Sequence, residues 1–141
     1  MKKLLVPIDG SENSQRAEKY AVDLAKQTGA SLHFIHVCDP VADAERIHAY
    51  YSREELEKPA RQRGEDFLKN AESLAQAANV PYESEIVFGP QAATLVKRAK
   101  ETGCDGIVMA TRGRGTFTNL FLGSTATKVV SATDLPVTLV K

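Results

Sequence analysis

The residues with the most evident chemical use lie between Met109 and Ala126. Met109-Ala110-Thr111 closes an apolar run, and the chain continues Arg112-Gly113-Arg114-Gly115-Thr116, then Phe117 to Leu122, then Gly123-Ser124-Thr125-Ala126. A glycine-containing loop that opens onto a helix is a device for anions. Gly113 permits the tight turn or positive φ by which backbone amides converge, and Gly123 lets a phosphate approach without meeting a β-carbon. Ser124 and Thr125 add hydroxyls and amides at a helix start, where the dipole carries roughly half a positive charge. Arg112 and Arg114 bring guanidiniums suited to bidentate phosphate contacts; solvated loop charge is their plainer reading. No Gly-Lys-Ser or Gly-Lys-Thr follows the glycines, so this is not a Walker loop. Gly113-x-Gly115 lacks a third glycine and follows a late strand, so it is not a dinucleotide fingerprint.

Other candidates are sparse. Asp9 directly follows the apolar run Leu4 to Ile8, where a carboxylate either faces a ligand or caps the helix that comes next. Cys38 and Cys104 are isolated thiols without Cys-x-x-Cys spacing, and His33 and His36, three apart in a strand, point to opposite faces and cannot chelate one ion. No Ser-His-Asp order with an elbow, no paired carboxylate after the first strand and no general base beside the loop completes a catalytic apparatus; slow hydrolysis using Asp9 is the most it would support.

The elements that must hold these residues can be read from periodicity. Leu4 to Ile8, Leu32 to Cys38, Ile107 to Ala110 and Val137 to Val140 read as buried strands, and Tyr82 to Phe88 alternates as a strand with one wet face at a sheet edge. Between them the period lengthens to about 3.6. The first helix has Ser11 as N-cap, Glu12 in its first turn and Gly29 as stop. A second carries a stripe from Leu56 to Ala78, regular only after Pro59. A third starts with Pro90 in its first turn and ends by Gly103, and a fourth runs from about Ser124 to Ala132 with Val129 and Val130 inward. The order βαβαβαβαβ demands a parallel sheet of five strands with helices on both faces, and ligands of such sheets collect beyond the strand carboxyl ends. Asp9, Val37 and Met109 each stand at such an end. The stretch from Asp39 to Arg53 is either a lid or a surface loop.

Gly113, nine residues, Gly123 and Ser124 resemble the Gly-x2-Gly-x9-Gly-Ser/Thr motif of the ATP-binding branch of the universal stress protein family. Leu4-Leu5-Val6-Pro7-Ile8-Asp9-Gly10-Ser11 is similar to that family's opening strand, Ile35-His36-Val37 to its second signature, and Leu135-Pro136-Val137 to its approach to the last strand. The resemblance covers the whole chain and implies one domain, residues 1–141, of the adenine nucleotide alpha hydrolase-like α/β fold with strand order 3-2-1-4-5. It implies that Pro7, Asp9 and Val37 border the adenine and ribose of ATP, with Asp9 near a magnesium ion. By the same resemblance Met109, Ala110, Arg112 and Gly113 line the nucleoside, and Gly123, Ser124 and Thr125 hold the phosphates. The motif's first glycine is Ala110 here. If that position requires positive φ, alanine costs on the order of 1 kcal/mol; if it requires only close approach, the cost depends on how far the ligand shifts.

Eighteen Lys plus Arg balance eighteen Asp plus Glu, so no long-range field gathers nucleic acid or an anionic membrane, and an anion must be caught locally. The start Met1-Lys2-Lys3 is followed too soon by Asp9 and Gly10 for a signal peptide or spanning helix, which leads to a cytoplasmic expectation. The resemblance further implies a regulatory stress-response protein and a homodimer through the last strand. Leu120 to Leu122 either extend that interface or seal the loop onto the core. A dimer that docks onto another protein without binding nucleotide is the alternative, and a weak ATPase a more distant one.

Overall fold

The computed structural model describes residues 1–39, 53–112 and 122–141. Among them five strands alternate with four helices: β1 (Lys3–Pro7), α1 (Glu12–Thr28), β2 (Ser31–Cys38), α2 (Arg53–Ala77), β3 (Tyr82–Phe88), α3 (Gln91–Glu101), β4 (Gly106–Ala110), α4 (Ser124–Ala132) and β5 (Val137–Val140). The sheet is wholly parallel in the order β3-β2-β1-β4-β5. β1 runs beside both β2 and β4, with Leu5 opposite His33 on one side and Ile107 on the other. Strand order therefore reverses about β1, and a crevice opens between the ends of β1 and β4.

Alternation along each strand divides the core in two. Leu4, Val6, Phe34 and Val108 meet Ala21 and Ala25 of α1 and Leu68, Ala71 and Ala75 of α2. Leu5, Ile35, Ile107 and Met109 meet Leu95 and Ala99 of α3 and Ala126 and Val129 of α4. Alanine at the contact positions lets the helices approach closely, while Phe34, Leu4, Leu5 and Ile35, all fully buried, each contribute on the order of 1.5–3 kcal/mol by leaving water. His33 lies buried on the second face and His36 lies half-buried on the first, against Phe67, as the period of two requires.

Local chemistry accounts for the helix ends. The Ser11 side chain accepts a hydrogen bond from the Ser14 amide and caps α1, and Gly29, at φ 78°, closes it by donating to the Ala25 carbonyl. Pro90 is the residue before α3, one place earlier than its expected first-turn position. Two expectations are corrected. α2 begins at Arg53 and runs through Pro59, because an exposed proline early in a helix deletes one ladder bond without changing the φ that the helix needs. Val130 is 43% exposed while Val129 is fully buried, since neighbours on a helix of nine residues stand about 100° apart and only one can face the sheet. Of the stretch from Asp39 to Arg53, read as lid or surface loop, Arg53 opens α2 and residues 40–52 lie outside the described residues.

Candidate functional site

Beyond the carboxyl ends of β1, β2 and β4 lies a cavity of about 280 Å³, closed at one side by the N-termini of α3 and α4. β1 and the turn after it contribute Pro7, Ile8 and Asp9; β2 contributes Ile35 and Val37. Met109 and Ala110 of β4 follow, continued by Thr111 and Arg112, and the approach to α4 supplies Gly123, Ser124 and Thr125. Nine of the ten residues expected at a nucleotide site thus line one cavity, and the tenth, Gly113, lies outside the described residues together with Arg114 and Leu120.

The wall from β1 is held rigidly. Asp9 accepts the Ser11 amide on Oδ1 at 2.8 Å and gives its own amide to Ser14 Oγ at 3.1 Å, which closes a turn through Gly10 at φ 79°. A bond of 2.6 Å between His36 Nδ1 and the Ile8 carbonyl oxygen places the ring proton on Nδ1 and ties the end of β1 to β2. Ser14 Oγ in turn donates to Glu18 Oε1 at 3.3 Å, and Asn70 Nδ2 of α2 donates to Glu18 Oε2 at 2.9 Å. Burial pushes the Glu18 carboxyl above its ordinary value, partly offset by those two bonds.

At the opposite wall the geometry is that of an open helix end. Gly123 is the N-cap of α4, with φ −68° and ψ 166° and no side-chain cap bond. Its amide donates to the Thr111 carbonyl at 2.6 Å, while Thr111 donates its own amide to Val140. Gly123 thus clamps the loop's exit to the end of β4, and its N–H is already engaged there. The first-turn amides of Ser124, Thr125 and Ala126 enter no hydrogen bond among the described residues, and the Thr127 amide begins the regular ladder to Gly123. Three amide donors and the positive end of α4 therefore border the cavity, with the exposed Arg112 beside them.

Ser14, Gln91 and Thr111 also line the cavity and were not singled out from the sequence. Gln91 Nε2 donates to the Val37 carbonyl at 2.7 Å, which fixes the end of β2 against α3. A signal for Ser14 was present: Ser14 and Glu18 are polar at i and i+4 on the same side of α1 as Ala17, Ala21 and Ala25, and buried polar pairs on an apolar stripe have a purpose or a penalty.

Residues 1–141 match the family described as the universal stress protein family. The chain belongs to that family. It is 32% identical over 140 residues to universal stress protein MJ0531 of Methanocaldococcus jannaschii, covering 99% of this chain and 82% of that protein. Protein MJ0577 has the same fold, with a TM-score of 0.88 at 24% identity over 99% of this chain and 95% of its own. A universal stress protein solved in complex with cAMP superposes with a TM-score of 0.70 at 26% identity, covering 99% of this chain and 95% of that one.

Two features of this universal stress protein bear on what it can hold. Ala110 ends β4 opposite Val140 and is not among the residues with positive φ, so alanine in place of the motif's glycine carries no left-handed strain. The magnesium expectation gains no support. Among the described residues no group of three or more His, Cys, Asp or Glu side chains could hold a metal ion, and one oxygen of Asp9 already serves the Ser11 amide.

Proposed function

We propose that this universal stress protein binds an adenine nucleotide, with ATP the expected form, and that occupancy of the cavity regulates a stress response. The observation that carries this reading is the pairing of an apolar slot with an anion site. Ile35, Val37, Leu95 and Met109 offer a surface for a purine, and the amides of Ser124, Thr125 and Ala126, unbonded among the described residues, stand at the far wall for phosphate oxygens. The relative that holds cAMP supports the adenine assignment. Asp9 and Pro7 border the sugar side of the slot, and Gly123 offers no side chain between the phosphates and the backbone. The chain is read as one domain, acting in the cytoplasm as a homodimer through β5, an edge strand that among the described residues pairs only with β4. No side chain in the cavity is assigned a catalytic role.

Thermal or urea unfolding with and without ATP tests this. A nucleotide that binds only the native state should stabilise it by about 2.7 kcal/mol at one hundred times its dissociation constant. Gly123→Val, which adds bulk beside the proposed phosphates, should abolish the gain while leaving the unliganded melting curve recognisable. No stabilisation of the wild type by millimolar ATP, AMP or cAMP would overturn the reading in favour of a dimer that works by docking.

A further inference from the structure

Ser14 is the member of the cavity wall whose chemistry is most tightly prescribed. Its side chain is 3% exposed, lines the cavity, and belongs to a chain of polar groups running back into the protein. A serine hydroxyl has one proton and two lone pairs. One lone pair takes the Asp9 amide (3.1 Å), and the proton goes to Glu18 Oε1 (3.3 Å). Glu18 is itself 1% exposed, with its second oxygen taken by Asn70 Nδ2 (2.9 Å). Both Glu18 oxygens accept in this arrangement, one from Ser14 and one from Asn70, so Glu18 holds the Ser14 proton away from the cavity. Among the described residues no other group bonds the Ser14 oxygen, which leaves its second lone pair for the cavity that it lines.

We propose that Ser14 contacts the ligand as a hydrogen-bond acceptor for a donor on the nucleoside, and that Glu18 is the positioning residue that imposes this polarity. The proposal rests on the adenine nucleotide reading above and names a specificity-determining contact within it. The donors a nucleoside offers are its ribose hydroxyls and the exocyclic amine of adenine. A ligand that lacks the matching donor leaves a buried lone pair unpaired, and such omissions cost more than a missing contact at an open surface.

Glu18→Gln changes the polarity with little change of shape. Asn70 continues to donate to the glutamine Oε1, the glutamine Nε2 then donates to Ser14 Oγ, and the serine proton is released toward the cavity. Ser14→Ala removes both roles, while Ser11 goes on capping α1 through the residue-14 amide.

The test is isothermal titration of the full chain, and of Ser14→Ala and Glu18→Gln, with ATP, 2′-deoxy-ATP, 3′-deoxy-ATP and ITP, the last lacking the 6-amino group. In the wild type one of the three analogues should bind about three- to tenfold more weakly than ATP, the range of one hydrogen bond. That penalty should vanish in Ser14→Ala and vanish or reverse in Glu18→Gln, with the other two analogues unaffected. Melting curves without ligand verify that the variants fold; if Ser14→Ala does not, Glu18→Gln alone decides, since it keeps the hydroxyl and alters only its direction. An analogue penalty that persists unchanged in the folded variants, or a wild type that binds all four nucleotides equally, would overturn the proposal while leaving nucleotide binding intact. A wild type that binds none of them would overturn the nucleotide reading itself.

Discussion

Gly10→Ala probes the turn that presents Asp9 to the cavity. Gly10 sits at φ 79°, a conformation that costs an L-residue with a β-carbon on the order of 1 kcal/mol. A β-carbon added there would also lie 2.5 Å from Phe67 Cδ1 and 2.8 Å from Cζ. The ring belongs to the packed face of α2 and stands edge-on to His36 at 5.5 Å between centroids, so it has to be displaced; overpacking of this kind costs about 1–3 kcal/mol. The sum, about 2–4 kcal/mol, is a large part of the 5–15 kcal/mol typical of a domain. With a urea m-value of about 2 kcal/mol/M the unfolding midpoint should drop by roughly 1–2 M. In a Phe67→Ala background the same substitution should cost only the backbone share, about 1 kcal/mol, because the clash is gone. A Gly10→Ala protein within 0.5 kcal/mol of wild type, or an equal cost in both backgrounds, would refute the packing of this turn against α2.

Other expectations follow from the same geometry. Ala110→Gly should lower stability by roughly 0.5–1 kcal/mol, because flexibility is added to a strand that has no left-handed residue to relieve, and ATP affinity should stay unchanged or rise; a gain in stability would contradict the assigned backbone. Arg98→Met should cost about 1–3 kcal/mol at neutral pH by removing the two bonds to Glu85, of 2.6 and 2.8 Å. Arg98 holds the Glu85 carboxyl below its ordinary value, so that stability is present above the ordinary carboxylate range and lost as pH falls through the depressed value; the deficit of Arg98→Met should shrink in acid urea titrations. Glu18 has the opposite sign. Its native carboxyl is raised by burial, so wild-type stability falls as pH rises from the ordinary carboxylate value through the raised one, and Glu18→Gln should remove that part of the slope in the same titrations.

The fold was legible because its punctuation is local. Ser11 and Gly29 bracket α1 by capping chemistry that depends on adjacent residues alone, and the alternation of Tyr82 to Phe88 announced a half-wet strand that the sheet places at its edge. The position of the site was legible for the same reason: Asp9, Val37 and Met109 end or follow strands, and a doubly wound sheet brings such ends together. Less could be read where a tertiary contact decides. Pro59 looked like a boundary because proline's local penalty is real, yet α2 packs on the sheet further along and carries its first turns through. The employment of the Gly123 amide by Thr111 depends on how far apart those residues end in space, which spacing along the chain does not specify. The same holds for Ser14, whose partners Asp9 and Glu18 come from a turn and its own helix, with Glu18 held in turn by Asn70 of a helix more than fifty residues on.

Nucleotide binding in the cavity can be followed through the backbone amide resonances of the isotopically labelled chain during titration with ATP. Binding in the cavity predicts saturable shifts concentrated at Ser124, Thr125 and Ala126, whose N–H groups would gain partners, with smaller ones at Asp9 and Val37 and little change at Gly123, whose N–H is already engaged. Resonances of the α4 first turn that stay in place while ATP saturates the protein, or that ignore it at millimolar concentration, would rule out phosphate binding at that helix end.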